Sequence, residues 1–243
     1  MRKMTIDEIL NKDGILVKFV EKKYVDSFCD GEIHFESLSS FIDKEKIEGD
    51  TVIGDEYEGA RLWNISIKRN FSHQRYVKTT LHLDDEDKRR LGVASFFYIP
   101  YKEMDVIDKS EKAARLRLSQ SVIEYFRNFN KTAKRIPVVL TASFFYEKMK
   151  EYMDDENSRT LAMGPVCYYD ENDSNFKDIS YLELAFRKRN RYSEQKEYRV
   201  VYWLDDNDER YNAENYVYEK IKNLTYSFHN EESLYEGLVK VTC

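Results

Sequence analysis

Apolar positions recur along the chain in two patterns that predict its secondary structure. Short runs of β-branched and aromatic residues, such as 15–20, predict buried strands, and apolar residues at helical spacing predict amphipathic helices. Thr5 and Glu8 form a capping-box pattern that opens a helix through Leu10. The patterns predict strands over 15–20, 32–36, 62–67, 76–83, 93–99, 137–140 and 197–204, and helices over 24–29, 110–129, 144–153 and 181–186.

The longest helical pattern covers 110–129. Ala113, Leu116 and Ile123 recur there at helical spacing, and Ser110 is a candidate N-cap. We therefore expect this segment to form one long amphipathic helix.

The order of the predicted elements indicates the fold class. Strands and helices are mixed without the strict strand–helix–strand alternation of a doubly wound parallel sheet. The acidic runs 84–87 and 205–209 predict turns between strands, and no repeat or long linker marks a domain boundary. We predict a single α+β domain over 1–243, with mixed, largely antiparallel sheets and flanking helices.

The composition is that of a folded protein rather than a disordered or fibrous one. Hydrophobic residues make up 42% of the 243 residues and aromatic residues 14%, which provides apolar surface for a sizeable core. Only 8 glycines and 3 prolines exclude collagen-like and linker-rich architectures. The formal net charge of −6 argues against a surface that binds nucleic acid throughout, although a local basic stripe is compatible with it.

Cysteine usage and hydropathy predict a soluble, cytoplasmic protein. Cys29, Cys167 and Cys243 are widely spaced and contain no CxxC pair, so they do not form the framework of a secreted disulfide-rich domain. The chain turns acidic before any apolar run, which predicts no signal peptide. No stretch approaches the roughly 20 apolar residues that a membrane span requires.

A charged segment over 186–199 directly precedes the predicted strand 197–204. A carboxylate at the start of a strand can stabilise a developing cation, and nearby arginines can hold phosphates. The alternative is that the segment has no chemical role and is a solvated charged turn that leads into an edge strand, because charge runs usually face water.

Two further groups of residues could carry chemistry. Carboxylates along the glycine-punctuated loop 48–59 could bind Mg²⁺ or Ca²⁺, although the spacing is not that of an EF-hand. Lys18 on the first predicted strand could meet Ser37, Ser39 and Ser40 at one end of a sheet. The alternatives are a loop ordered by its own hydrogen bonds, and an ordinary lysine beside a serine-rich helix cap.

Several familiar motifs do not occur in the sequence. It contains no GxGxxG, no P-loop and no GxSxG, which argues against Rossmann dehydrogenases, P-loop NTPases and α/β-hydrolases. The four histidines form neither HxH nor HExxH, so zinc is not indicated.

Read together, four segments resemble a known layout. They are the Val-Lys-Phe strand around Lys18, the Asp-Gly-Glu-Ile-His-Phe segment 30–35, the acidic loop and the stretch 192–201. They are similar to a family of uncharacterised bacterial and phage proteins that open with a Tyr-Lys/Arg-Tyr strand and end on a Glu-x-Glu-Tyr-Arg strand. That layout resembles the ADP-ribosyltransferases, which carry a Gln-x-Glu or Glu-x-Glu pair ahead of a late strand.

The resemblance implies a site that uses NAD as its substrate and needs no metal. Glu197 would be the catalytic glutamate that binds the ribose 2′-hydroxyl and stabilises the oxocarbenium ion, and Gln195 would orient the acceptor. Lys18, Ser37 or Ser39, and Arg199 would bind the cofactor. Lys18 departs from the family's usual Arg or His, and no Ser-Thr-Ser triplet follows it. The resemblance implies an unidentified macromolecular acceptor and a phage or bacterial conflict factor.

The same stretch also supports two other classes of function. Glu194 and Lys196 fit the Glu-x-Lys pattern of Mg²⁺-dependent nucleases, with Asp170, Asp173 or Asp178 as the upstream ligand. The basic residues of 187–191 would then contact nucleic-acid phosphates. A catalytically silent protein that binds a host factor is the third reading, because its many tyrosines suit a contact surface.

Overall fold

The computed structural model of the chain describes residues 4–46, 59–69, 73–82, 85–155, 160–170, 179–203, 216–220 and 230–243. Within them the fold is α+β, with mixed, largely antiparallel sheets and flanking helices, which confirms the predicted class. The helices are α1 (Ile6–Lys12), α2 (Val25–Cys29), α3 (Leu38–Lys46), α4 (Asp85–Arg90), α5 (Gln120–Asn130), α6 (Ala142–Asp155), α7 (Tyr181–Leu184) and α8 (Glu231–Glu236). The strands are β1 (Gly14–Val20), β2 (Glu32–Ser37), β3 (Ala60–Arg69), β4 (His73–His82), β5 (Leu91–Pro100), β6 (Asp105–Lys109), β7 (Ala113–Arg117), β8 (Ile136–Thr141), β9 (Thr160–Pro165), β10 (Cys167–Tyr169), β11 (Arg187–Arg189), β12 (Glu197–Trp203), β13 (Tyr216–Lys220) and β14 (Val239–Thr242).

The chain divides into two compact units, and neither is continuous in sequence. The first unit consists of Met1–Ile33, Phe96–Asn157 and Glu219–Cys243, and the second of His34–Ser95 and Ser158–Tyr218. The single domain expected from the sequence stays a prediction.

In the first unit, β1 is an interior strand because it pairs on both sides. It runs antiparallel to β8 along 15–20 and antiparallel to β5 along 14–17. A separate three-stranded antiparallel sheet has the order β14-β7-β6. β6 lies at its edge, is exposed throughout, and carries an irregularity between Val106 and Asp108.

Alternation along β1 supplies the core of the first unit. Ile15, Val17 and Phe19 point to one face, as the two-residue period of a strand requires, and pack with residues of α5. Phe19 meets Phe126 of α5 at a centroid distance of 5.2 Å. Burying such side chains contributes roughly 1.5–3 kcal/mol each to folding.

In the second unit, antiparallel pairs predominate. β3 and β4, of ten residues each, pair along their whole length, β12 pairs with β9, and β2 pairs with β5 at Glu36 and Ser37. The short strands β10 and β11 are parallel. A buried apolar cluster supports these strands; it comprises Leu38, Phe41, Leu91, Val93, Leu184, Ala185 and Val201.

Most elements lie where the sequence patterns predict them. The Thr5 hydroxyl accepts the Glu8 N–H at 3.3 Å, and the Glu8 carboxylate accepts the Thr5 N–H at 2.8 Å, so the capping box is formed. Gly31, with φ of 91°, follows α2 as expected of a glycine that ends a helix.

The long helix predicted over 110–129 is wrong in its first half. The Ser110 N–H donates to the Ala113 carbonyl at 2.7 Å and the Ala113 N–H donates to the Ser110 hydroxyl at 3.1 Å, which closes a turn between β6 and β7. Along β7, Ala114 and Leu116 are buried while their neighbours face solvent more, which is a strand period. The helix α5 begins only at Gln120.

The acidic run 84–87 is also not simply a turn. From Asp85 onward it forms the first turn of α4, where carboxylates are favourable because they oppose the helix dipole. Glu86 and Arg90, four residues apart, form an ion pair at 2.6 Å. The predicted turn 205–209 and the acidic loop 48–58 lie outside the described residues. No helix in the described part of the chain is long and apolar enough to cross a membrane.

Candidate functional site

The candidate site lies in the second unit, where the charged segment turns into a strand. β11 leads into a 3-10 helix, Asn190–Gln195, and β12 begins two residues after that helix ends. Lys196 makes the turn with φ of 44°, in the left-handed region that residues other than glycine seldom adopt. This turn directs the chain from the 3-10 helix into β12, whose first residue is Glu197.

Glu197 forms a buried ion triad with Lys188 and Arg199. The Arg199 guanidinium donates to Oε1 from Nε at 3.3 Å and from Nη2 at 3.2 Å, and to Oε2 from Nη2 at 3.1 Å. The Lys188 Nζ donates to Oε2 at 3.2 Å. Glu197 and Arg199 face the same side because they are two residues apart on a strand, and Lys188 comes from the middle of β11.

The triad is almost completely removed from solvent. Arg199 is 0% exposed, Lys188 2% and Glu197 8%. The second terminal nitrogen of Arg199, Nη1, donates to the Ala185 carbonyl at 2.6 Å, so a backbone acceptor also satisfies the guanidinium. The Glu197 N–H donates to the Tyr168 hydroxyl at 2.9 Å, which ties the start of β12 to β10.

The carboxyl of Glu197 is ionised at neutral pH despite its burial. Desolvation alone would raise its pKa, but Arg199 and Lys188, with a contribution from the Ser95 hydroxyl, outweigh it and lower the pKa from 4.5 to about 2. Buried charges are stable only when they are paired in this way. The site therefore holds a permanent negative charge between two positive ones.

Basic side chains also surround the ring of Tyr192, within the 3-10 helix. Lys188 Nζ lies 4.9 Å from its centroid, Arg191 Cζ 4.8 Å and Arg189 Cζ 5.7 Å, distances at which cations are attracted to an aromatic face. Arg191 also donates from Nη2 to the Tyr192 hydroxyl at 2.8 Å. Lys188 thus belongs both to this tyrosine-centred cluster and to the triad.

The basic run 187–191 does not form one exposed stripe. Lys188 and Arg189 are buried, Arg187 is half-buried, and Arg191 is exposed. The Arg187 guanidinium lies 3.1 Å from the exposed thiol of Cys167. Arg191 is therefore the member of the run that is best placed to meet a phosphate from solvent.

The other residues that the resemblance to ADP-ribosyltransferases implies lie in separate elements of the structure. Gln195 is buried at the end of the 3-10 helix, two residues before Glu197. Ser37 ends β2, and its hydroxyl bonds with that of Ser39 at 2.9 Å. Lys18 belongs to the first unit, where its Nζ lies 5.0 Å from the centroid of the Phe96 ring.

Glu194 and Lys196, the pair of the nuclease reading, are not alternate residues of a strand. Both precede β12, because the 3-10 helix and the left-handed Lys196 come first. Glu194 is exposed, as is Asp170, whereas Asp173 and Asp178 lie outside the described residues. In the described ranges of the chain, no group of three or more His, Cys, Asp or Glu side chains could hold a metal ion.

The sequence points to Glu197 and Arg199 as candidate site residues, but it does not predict that Lys188 pairs with Glu197. Lys188 was grouped with the charges expected to face nucleic acid. One available signal was the spacing of Arg187, Lys188 and Arg189, because in a strand the central residue faces away from its two neighbours. The sequence alone does not show that β11 is a strand, since three charged residues lack any apolar pattern.

The chain was compared with protein-family models, with curated proteins and with solved structures, and none of the three comparisons found a match.

Proposed function

We propose that the chain binds NAD and breaks the bond between its nicotinamide and ribose, with Glu197 as the carboxylate that binds the ribose. The ADP-ribose would pass to a macromolecular acceptor or to water. The observation that carries this proposal is a carboxylate kept ionised beside a cluster of cations, at the position that the resemblance to ADP-ribosyltransferases indicates.

The chemistry needs a carboxylate that stays charged. When the glycosidic bond breaks, its electron pair leaves on the nicotinamide nitrogen, and the ribose carbon becomes positive. An ionised carboxylate that accepts a hydrogen bond from a ribose hydroxyl stabilises this cation, which a neutral carboxyl does far less well. The acceptor then bonds to the ribose carbon and loses its proton to solvent. The lowered pKa of Glu197 supports this role.

The cations around Tyr192 support the binding of a diphosphate. Guanidinium groups bind phosphate oxygens in pairs, and Arg191 is exposed next to the buried Arg189. The Tyr192 ring fixes the two guanidinium groups at 4.8 and 5.7 Å from its centroid. Arg199 is fully buried, so it would act on NAD through Glu197 rather than by direct contact.

Access to Glu197 sets a condition on the proposal. Both of its oxygens already accept hydrogen bonds, but these are 3.1–3.3 Å long, whereas charge-assisted bonds of this kind are usually about 2.7–2.9 Å. A ribose hydroxyl would replace the Lys188 contact at Oε2. We therefore expect NAD binding to require that the Lys188 ammonium withdraw from Glu197.

The experiment measures nicotinamide release from NAD, with and without cell lysate as a source of acceptor. Glu197→Asp keeps the charge but shortens the side chain, and we expect it to lose activity by about a hundredfold or more, because misplacing a reacting group by about 1 Å has that effect. Glu194→Gln, an exposed neighbour, is the matched control and should retain activity. Circular dichroism confirms that each variant is folded.

Three results would contradict the proposal. Full activity of Glu197→Asp would remove Glu197 from the reaction. Mg²⁺-dependent cleavage of nucleic acid that is lost in Glu194→Gln, with no nicotinamide release, would favour the nuclease. If the wild type is silent in both assays, the enzymatic proposal fails and a binding protein becomes the better reading.

A further inference from the structure

A pocket lies in the first unit, and all of its lining residues belong to that unit. It has a volume of about 290 Å³, at the small end of the range of ligand sites. It is bounded by β6, β7, α5 and α8. The lining residues are Asp105, Arg117, Leu118, Gln120, Ile123, Arg127, Tyr235 and Glu236.

Charges of both signs line this pocket without pairing. Asp105 and Arg117 face each other as cross-strand neighbours of β6 and β7, and Arg127 and Glu236 come from α5 and α8. Within the part of the chain that the structure describes, none of the four makes an ion pair. By contrast, Arg115, two residues from Arg117 on the same strand, is paired with Asp108.

Tyr235, another lining residue, has a buried hydroxyl. The residue is 7% exposed, and its hydroxyl oxygen has no hydrogen-bond partner among the described residues. A buried polar group without a partner costs about 1–3 kcal/mol, so this hydroxyl would gain from a partner such as a water, an ion or a ligand group. Burial and the nearby Glu231 raise the pKa of this hydroxyl to about 12, and it is therefore a hydrogen-bond donor at neutral pH.

The remaining walls are an apolar floor and the start of a helix. Leu118 and Ile123 are buried in the core of the first unit and give the pocket its apolar side. The helix α5 begins at Gln120. The hydroxyl of its N-cap, Ser119, bonds with the Ser121 hydroxyl at 3.2 Å and does not cap a backbone N–H of the first turn. The N–H groups of that turn carry partial positive charge, which favours an anionic group nearby.

We propose that this pocket binds a free α-amino acid with an aliphatic side chain. Its carboxylate would meet the guanidinium groups of Arg117 and Arg127 and the Tyr235 hydroxyl, and its ammonium would meet Asp105 and Glu236. The side chain would lie on the apolar floor. A ligand with both charges forms ion pairs with both sets at once, whereas a simple anion forms none with the two carboxylates.

The test is a calorimetric titration of the full chain with L-leucine and with two analogues that each lack one charge. Isocaproate lacks the ammonium group and isoamylamine lacks the carboxylate. We expect leucine to bind and both analogues to bind at least about tenfold more weakly, because each loses its hydrogen bonds to charged groups.

Variants of the lining connect the binding to this pocket. Asp105→Asn and Arg127→Gln should each weaken leucine binding by about tenfold, since each removes one charged partner. Arg115→Gln is the matched control and should bind like the wild type, because Arg115 lies on β7 beside Arg117 but does not line the pocket. The substituted residues are exposed, so the variants should remain folded.

Several outcomes would overturn the proposal. They are no binding of leucine, binding that neither Asp105→Asn nor Arg127→Gln weakens, and isocaproate binding as tightly as leucine. The last outcome would identify a site for simple anions. None of these results depends on NAD chemistry in the second unit, so this proposal and the proposed function can fail separately.

Discussion

Replacing Glu197 with glutamine should destabilise the protein strongly. The substitution keeps the size of the side chain but removes its negative charge. Lys188 and Arg199, 2% and 0% exposed, would then remain buried without the carboxylate that lies between them in the wild type. Glu194→Gln makes the same chemical change on an exposed side chain and provides the control.

The magnitude follows from the burial of the triad. Removing one partner of a buried ion pair typically costs about 3–5 kcal/mol of unfolding free energy. The pKa leads to a similar figure: a carboxyl whose pKa falls from 4.5 to about 2 on folding contributes about 3 kcal/mol at neutral pH. For a chain of this size, such a loss lowers Tm by roughly 6–20 °C.

The sign of the pH dependence provides a second readout. The folded-state pKa of Glu197 is lowered, so its contribution is complete above pH 4.5 and is lost as the pH falls towards about 2. Urea unfolding of the wild type should therefore show stability falling through this window. At neutral pH, Glu197→Gln should have a lower free energy of unfolding than the wild type. Its stability should lack the fall with pH that the titration of Glu197 causes.

Two results would contradict this account of the triad. If Glu197→Gln unfolds at the same urea concentration as Glu194→Gln, the triad does not stabilise the fold and its charges are solvated. If Glu197→Gln lowers the free energy of unfolding by the same amount at pH 3 and at pH 7, the assignment of a lowered pKa to Glu197 is likewise contradicted.

Four further predictions test other parts of the structure. Gly14→Ala should destabilise the protein by about 1–3 kcal/mol, since its Cβ would lie 2.5 Å from the Ile99 carbonyl oxygen, whereas Gly164→Ala, with nothing within 4 Å, should leave urea unfolding nearly unchanged. Thr5→Ala should cost about 1 kcal/mol in the same assay through loss of the capping box. Tyr235→Phe should leave stability without ligand unchanged or raise it, because it removes a buried hydroxyl without a partner among the described residues; a loss above about 1 kcal/mol would show that the hydroxyl is already bonded. Arg191→Gln should weaken NAD binding by about tenfold in a titration and leave the midpoint of unfolding unchanged.

The sequence was sufficient for elements whose signals are local. The capping box at Thr5 and the apolar run of β1 each depend on neighbouring residues alone, and each formed as expected. The segment 110–129 misled because Ala113 and Leu116 fit both a helical and a strand period. The segment forms a strand because it pairs with β6 and β14, and the local sequence does not show which strands it will pair with.

The candidate site shows the same division. Glu197 and Arg199 could be placed on one strand face from their spacing. Their partner Lys188 could not, since its burial depends on the parallel pairing of β10 with β11 and on a left-handed residue at Lys196. A lysine in a run of charges is ordinarily solvated, and only the folded arrangement makes it part of a triad.

The discontinuity of the two units has a consequence for synthesis on the ribosome. The first unit needs Glu219–Cys243, because Leu234 and Val241 belong to its core. The second unit likewise joins His34–Ser95 with Ser158–Tyr218. Contacts over such long sequence separations form slowly. We therefore expect the nascent chain to present incomplete apolar surfaces until translation of these last segments, a stage at which chaperones would bind it.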